Sequence, residues 1–196
     1  DGAVRQAVAQ VWDDAPDAEF FRSPGNAAEA DIQVPIDVAA RAPESVGTDR
    51  LLLALGAREL AGAPCIVVGA GTAVTVDLVG PQGAFAGGAI APGMGTAADS
   101  LSHAAAQLPG IRPGRPAVDV GGDTQEAMTS GVYWFVAGGV LALVSRYRRR
   151  PGHEGAPVVL TGGDAETLAD ALEGLSPRHE PDLIFHGMAA ALAAST

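Results

Sequence analysis

Lysine is absent from this chain of 196 residues: all 12 basic residues are arginine, against 23 acidic ones, and the net charge is −11. Genomic composition bias accounts for this better than any function does. The acidity argues against nonspecific nucleic-acid binding, which needs a positive field. The local exception is Arg146, Arg148, Arg149 and Arg150. It falls where a helix is predicted to end, and a helix C-terminus favours cations. Cysteine is nearly absent too. A single Cys65 forms no internal disulfide, which excludes a disulfide-stapled scaffold. It opens an apolar strand, so a buried, inert thiol is expected. Aromatic residues make up only 5%; Trp12 and Trp134 lie on apolar helical stretches and read as core or interface. Long apolar runs are missing as well. Val132 to Val144 reads as too short to span a bilayer and contains Gly138-Gly139. No signal peptide is visible, so a cytoplasmic location with no membrane partner is expected. The chain opens on Asp1 rather than methionine, and a native start further upstream is expected. His103, His153, His179 and His186 lack the spacing of a metal site.

What is present is apolar: 47% of the residues, enough for one domain or a pair of small ones with a true core. Val4 to Trp12 reads as an amphipathic helix. Glu19 to Phe21 and Ile32 to Val34 read as short strands around Ser23-Pro24-Gly25-Asn26. Thr48 or Asp49 is placed to cap a helix running to Leu60, with Leu51, Leu52 and Leu55 buried. Gly62-Ala63-Pro64 breaks the chain. Cys65 to Val68, Thr72 to Val79 and Ala84 to Ile90 are β-rich, with a hairpin signal at Gly80-Pro81-Gln82-Gly83. Helices are predicted at Thr96 to Gln107 and Thr124 to Arg148. Val158 to Leu160 reads as a strand, Ala165 to Leu172 as a helix, Leu183 to Phe185 as a strand and Gly187 to Ala194 as a helix.

Two stretches carry chemistry. Gly47-Thr48-Asp49-Arg50 sets a carboxylate beside a guanidinium at the start of an apolar helix. Val67 to Asp77 reads as strand, glycine turn, strand. Such a turn leaves N–H groups for phosphate oxygens, and Thr72 adds a hydroxyl. A base, an anion clamp and a phosphate turn point together to phosphoryl transfer.

The order and spacing of these motifs resemble the type III pantothenate kinases, of the acetate-kinase/sugar-kinase/Hsp70/actin superfamily. The family's Pro-x-x-Val-Gly-x-Asp-Arg is met by Pro43 to Arg50. Its Asp-x-Gly-Thr-Ala-x-Thr-x-Asp is met by Gly69 to Asp77, and Gly-x-x-x-Gly-Gly-x-Ile-x-Pro-Gly by Gly83 to Gly93. Leu108-Pro109 follows. Asn-Thr-x-x-Ala-Met-x-Ser-Gly is met by Asp123 to Gly131, and the late Thr-Gly-Gly by Thr161-Gly162-Gly163.

The resemblance implies an α/β, ribonuclease H-like (actin-like ATPase) fold. It would consist of two half-domains of βββαβαβα type, with residues 1–62 a remnant of the first and 63–196 the second. It implies ATP-dependent phosphorylation of pantothenate, the opening step of coenzyme A synthesis. Asp49 would be the general base, and Gly47, Thr48, Asp49, Arg50 and Thr124 would bind substrate. Arg50 would pair with the pantothenate carboxylate. Thr124 is also placed to cap its helix. Gly71, Thr72, Gly162 and Gly163 would meet ATP, with Mg²⁺ bridging its phosphates, and the protein would be a homodimer through the 124–148 helix. Several positions depart from the family. Gly69 replaces an aspartate that binds a monovalent cation, so little dependence on K⁺ or NH₄⁺ is expected. Ala40 replaces a tyrosine, Gly122 a lysine and Asp123 an asparagine. The family's Asp-x-Gly-Asn-Thr phosphate loop is not found before Val34. These residues alone are therefore expected to bind ATP weakly and to turn over little. The rival expectation is a non-catalytic homologue serving as a regulatory or interaction protein.

Overall fold

The computed structural model describes Phe21, Arg22 and residues 32–195. The helix expected at Val4 to Trp12, most of the Glu19 to Phe21 strand and the turn at Ser23 to Asn26 lie outside the described residues. Phe21–Arg22 (β1) and Ile32–Gln33 (β2) pair in parallel.

The main sheet has five strands: β3 (Cys65–Ala70), β4 (Ala73–Val79), β5 (Phe85–Pro92), β6 (Val158–Thr161) and β7 (Arg178–His179), in the order β5-β4-β3-β6-β7. The first three form an antiparallel meander. β6 then lies parallel to β3, and β7 parallel to β6. Around the sheet lie α1 (Thr48–Ala61), α2 (Met94–Ala104), α3 (Thr124–Arg148), α4 (Ala165–Ala169) and α5 (Leu183–Ser195). A meander whose first strand becomes the sheet centre, extended on its free side by parallel crossover strands, is the ribonuclease H-like arrangement, as expected.

Strand chemistry explains the layering. β3 is the central strand, and its Cys-Ile-Val-Val run is buried on both faces. Along β4, successive side chains alternate between faces. Val74, Val76 and Leu78 join Ile66, Val68, Leu160 and the α3 residues Val132, Tyr133, Ala137, Val140 and Val144 in one core cluster. Val79 belongs with Cys65, Val67, Phe85 and Val159 in a second cluster, which takes in Leu51, Leu52 and Leu55 of α1 and Leu183 of α5. Residues of the 34–61 stretch therefore share a core cluster with the sheet. Burial pushes the Cys65 thiol up to about 12, so it is uncharged at neutral pH, as its inert reading requires.

Several local expectations are corrected. Leu183 to Phe185 is the first turn of α5 rather than a strand. A short apolar run has no decisive period, and the fifth place in the sheet goes to Arg178–His179. The second helix starts at Met94 and ends at Ala104, with Gly93 as its extended N-cap, rather than running from Thr96 to Gln107. Of the two places expected for Trp134, core or interface, its 45% exposure excludes only the core, and its ring meets Tyr133 edge-on. The apolar run from Val132 to Val144 is the middle of a longer helix. With 25 residues and a mean hydropathy of 1.6 over its best window, α3 is long and apolar enough to cross a membrane by length and composition alone. One of its faces is packed on the sheet.

α1 and α5 cross at two glycines. A Cβ on Gly187 would overlap the carbonyl of Leu52, and one on Gly56 would meet the carbonyl of Leu183. Gly187→Ala should push these helices apart and lower stability by about 1–3 kcal/mol, the usual cost of overpacking, measured by urea unfolding.

Candidate functional site

β3 and β6 are parallel neighbours, with Gly69 opposite Thr161, so their carboxyl ends emerge side by side. Such ends are where open α/β sheets place ligands. Gly71-Thr72 leaves one and Gly162-Gly163 the other. The Asp164 N–H donates to the Ala70 carbonyl at 3.0 Å. Gly162 has φ +102°, and a Cβ there would run into that same carbonyl, so only glycine suits the position. On the other side, the Gly93 N–H and the Thr96 hydroxyl both donate to the Thr72 carbonyl, at 3.0 and 2.7 Å. A Cβ on Gly93 would overlap the Gly71 carbonyl. Gly71, Thr72, Gly162 and Gly163 are thus brought together on a ledge of main chain, with Thr72 and Gly163 exposed. A ledge with few side chains lets phosphate or ribose oxygens come close.

α1 points its N-terminus toward this end of the sheet. Leu53 lies against Gly69 near the end of β3, whereas Arg58 lies against Gly83, beyond its start. The N-cap is Gly47, with no side-chain cap, rather than Thr48 or Asp49. The Asp49 carboxylate folds back over Gly47, 2.5 Å from where a Cβ would stand, and remains exposed to solvent.

Arg50 turns the other way. Its Nε donates to both Asp77 carboxylate oxygens, at 3.1 and 3.2 Å, and its terminal NH₂ donates to one of them. Its guanidinium also lies 5.3 Å from the Phe85 ring centre. Asp77 is fully buried, and its carboxyl is pushed up by burial, with the Arg50 hydrogen bonds opposing that shift. Asp77 in turn holds the Arg50 guanidinium above its ordinary range. Nothing in the 47–50 motif signals this partner 27 residues away; the available signal is one charged residue within the apolar Val74 to Val79 strand.

Gly69 and Thr75 face each other on β3 and β4. Thr75 Oγ1 is buried without a well-formed hydrogen bond, although its hydroxyl also favours the Asp77 carboxylate. A Cβ on Gly69 would sit 2.9 Å from it. Gly69 offers no side-chain oxygen, and among the described residues no group of three or more His, Cys, Asp or Glu could hold a metal ion.

Thr124 is separate. It lies on α3, whose core is the opposite face of the sheet from that of α1. The N-cap there is Asp123, which accepts from the Glu126 N–H at 2.9 Å, so Thr124 is the first helical residue rather than the cap. Thr124 opens onto a groove of about 1050 Å³ between α2, α3 and the β4–β5 edge, walled by apolar residues such as Val74, Ala91, Leu101, Phe135 and Leu143. The groove includes none of the other expected site residues.

The sheet order and the turns gathered at its carboxyl end define a protein of the actin-like, ribonuclease H-fold class. Within that class, the chain belongs to the type III pantothenate kinase family, whose model matches residues 2–146. It is 41% identical over 146 residues to the type III pantothenate kinase of Akkermansia muciniphila, covering 74% of this chain and 60% of that one. With the enzyme of Rhodospirillum rubrum it shares 38% over 172 residues, covering 86% and 65%. The chain thus spans about six-tenths of the length of these curated relatives. A crystal structure described as a Baf family transcriptional activator from Campylobacter jejuni superposes with a TM-score of 0.58 at 23% identity, over 83% of this chain and 69% of that one. At that identity it speaks for the fold alone.

Gly93→Ala should displace the Gly71-Thr72 turn. The expected result is large amide chemical-shift changes at both residues and a stability loss of about 1–3 kcal/mol, read by NMR and urea unfolding.

Proposed function

We propose that the chain serves the ATP-dependent phosphorylation of pantothenate, with Asp49 as the base that orients the primary hydroxyl and accepts its proton. The observation that carries this reading is the α1 N-terminus. It brings an exposed Asp49 to the same end of the sheet as the Gly71-Thr72 and Gly162-Gly163 turns. The product would feed coenzyme A synthesis in the cytoplasm.

ATP supplies the phosphoryl group. The Gly71, Thr72, Gly162 and Gly163 backbone fits it as a ledge of main chain, whose close packing on Ala70 needs a glycine at 162. The described residues offer Mg²⁺ no cluster of ligands, so no step is assigned to it, and Gly69 gives a monovalent cation no carboxylate. Gly47 and Thr48 would line the substrate position from the main chain. Arg50 has three N–H groups beyond those bonded to Asp77, and these are what it can offer the pantothenate carboxylate.

Thr124 joins this site from a second copy of the chain. Two observations support a homodimer through α3: Thr124 sits across the sheet from Asp49, and Phe135 is 87% exposed beside the apolar groove. C₂ pairing is the commonest homo-oligomer symmetry. Neither nucleic acid nor membrane is part of this reading.

Asp49→Asn should lower turnover by about 10²–10⁴-fold, the usual share of a general base, and leave the melting temperature unchanged because the side chain is exposed. Binding of pantothenate and of ATP, titrated separately by calorimetry, distinguishes an idle site from an empty one. Phe135→Asp should convert a dimer to a monomer in sedimentation at micromolar concentration. A monomeric unaltered chain under those conditions would remove the dimer from this reading.

A further inference from the structure

The Arg50–Asp77 pair is placed as no surface ion pair would be. The Asp77 side chain is 1% exposed and that of Arg50 14%. Asp77 stands directly opposite Gly88 on β5, and a Cβ at Gly88 would fall on the Asp77 carboxylate, so the sheet leaves out a side chain to make room for it. Phe85 flanks the guanidinium. Meanwhile the first turn of α1 has no side-chain cap, and its Leu51 N–H reaches the Gly47 carbonyl only at 3.3 Å. The far end of α1 is held differently, by the Gly62 N–H on the Arg58 carbonyl at 2.9 Å and by packing against α5.

We infer that Asp77 is a positioning residue: by gripping Arg50 it fixes the first turn of α1, and with it the place of the neighbouring Asp49 carboxylate. A guanidinium–carboxylate fork sets angle as well as distance, which an apolar contact at the same spot would not. Small misplacements of a catalytic group cost much in rate, so the burial of a charged pair beneath an uncapped helix start serves the residue next to it. This inference rests on the reading of Asp49 as the base.

The test replaces Asp77→Asn in the whole chain and follows amide hydrogen exchange by NMR. Exchange at Leu51, Leu52 and Leu53 should speed up at least tenfold, with Glu59, Leu60 and Ala61 changed less than twofold. Pantothenate affinity, measured by calorimetry, should fall about tenfold. Equal changes at both ends of α1, or none at its first turn, would overturn the inference, because a purely structural pair loosens the helix as a whole. If the unaltered chain takes up no pantothenate, the functional reading falls, and the exchange pattern alone still decides the positioning role. Should Asp77→Asn fail to fold, Arg50→Lys, which keeps the charge and gives up the fork, is read by hydrogen exchange alone, because Arg50 is itself placed at the pantothenate carboxylate.

Discussion

Main chain lies against main chain at the carboxyl end of the sheet, and the arrangement of the site follows from it. The Ala70 carbonyl takes the Asp164 N–H, and the Thr72 carbonyl takes the Gly93 N–H. Each contact requires a residue without a side chain, at Gly162 and Gly93 respectively. Because β3 and β6 are tied together by register, the turns that leave them cannot separate without breaking the sheet. The ledge is therefore anchored on the central strands beneath it, and supporting a site on such elements favours precise placement of whatever binds there.

Against this ledge, α1 brings the acid. Its apolar residues Leu51, Leu52 and Leu55 bury it on one face of the sheet, while its uncapped start projects toward the strand ends. The pair beneath it combines two effects of opposite sign. Burying a carboxylate and a guanidinium is costly, and losing one partner costs about 3–5 kcal/mol because the other is left uncompensated. Such a pair contributes little to net stability compared with apolar packing, but it makes the geometry hard to alter.

Much of this was legible beforehand. The strands β3 to β5 and the helices around them followed from apolar period and turn residues, whereas the ribonuclease H-like order came as what the family resemblance implies. Caps were less legible: both Thr48 and Thr124 have the right chemistry, but Gly47 and Asp123 take the positions, because backbone direction at the helix entry decides the cap. Leu183 to Phe185 could not be told from a strand, since three apolar residues carry no period. The partner of Arg50 was invisible because a charged residue chooses its counter-ion in space. The separation of Thr124 from Asp49 likewise depends on which face each helix covers, which sequence spacing does not encode.

The vacancy at Gly88 has an evolutionary consequence. Any side chain gained at that position would displace the Asp77 carboxylate, and loss of Asp77 would strand Arg50. Positions 50, 77 and 88 are consequently not free to drift one at a time. Losing either charge first leaves the other buried without its partner, and filling the glycine first displaces the carboxylate, so no order of single changes avoids a destabilised intermediate. Each intermediate would need to remain folded, so the three residues should be inherited or abandoned together.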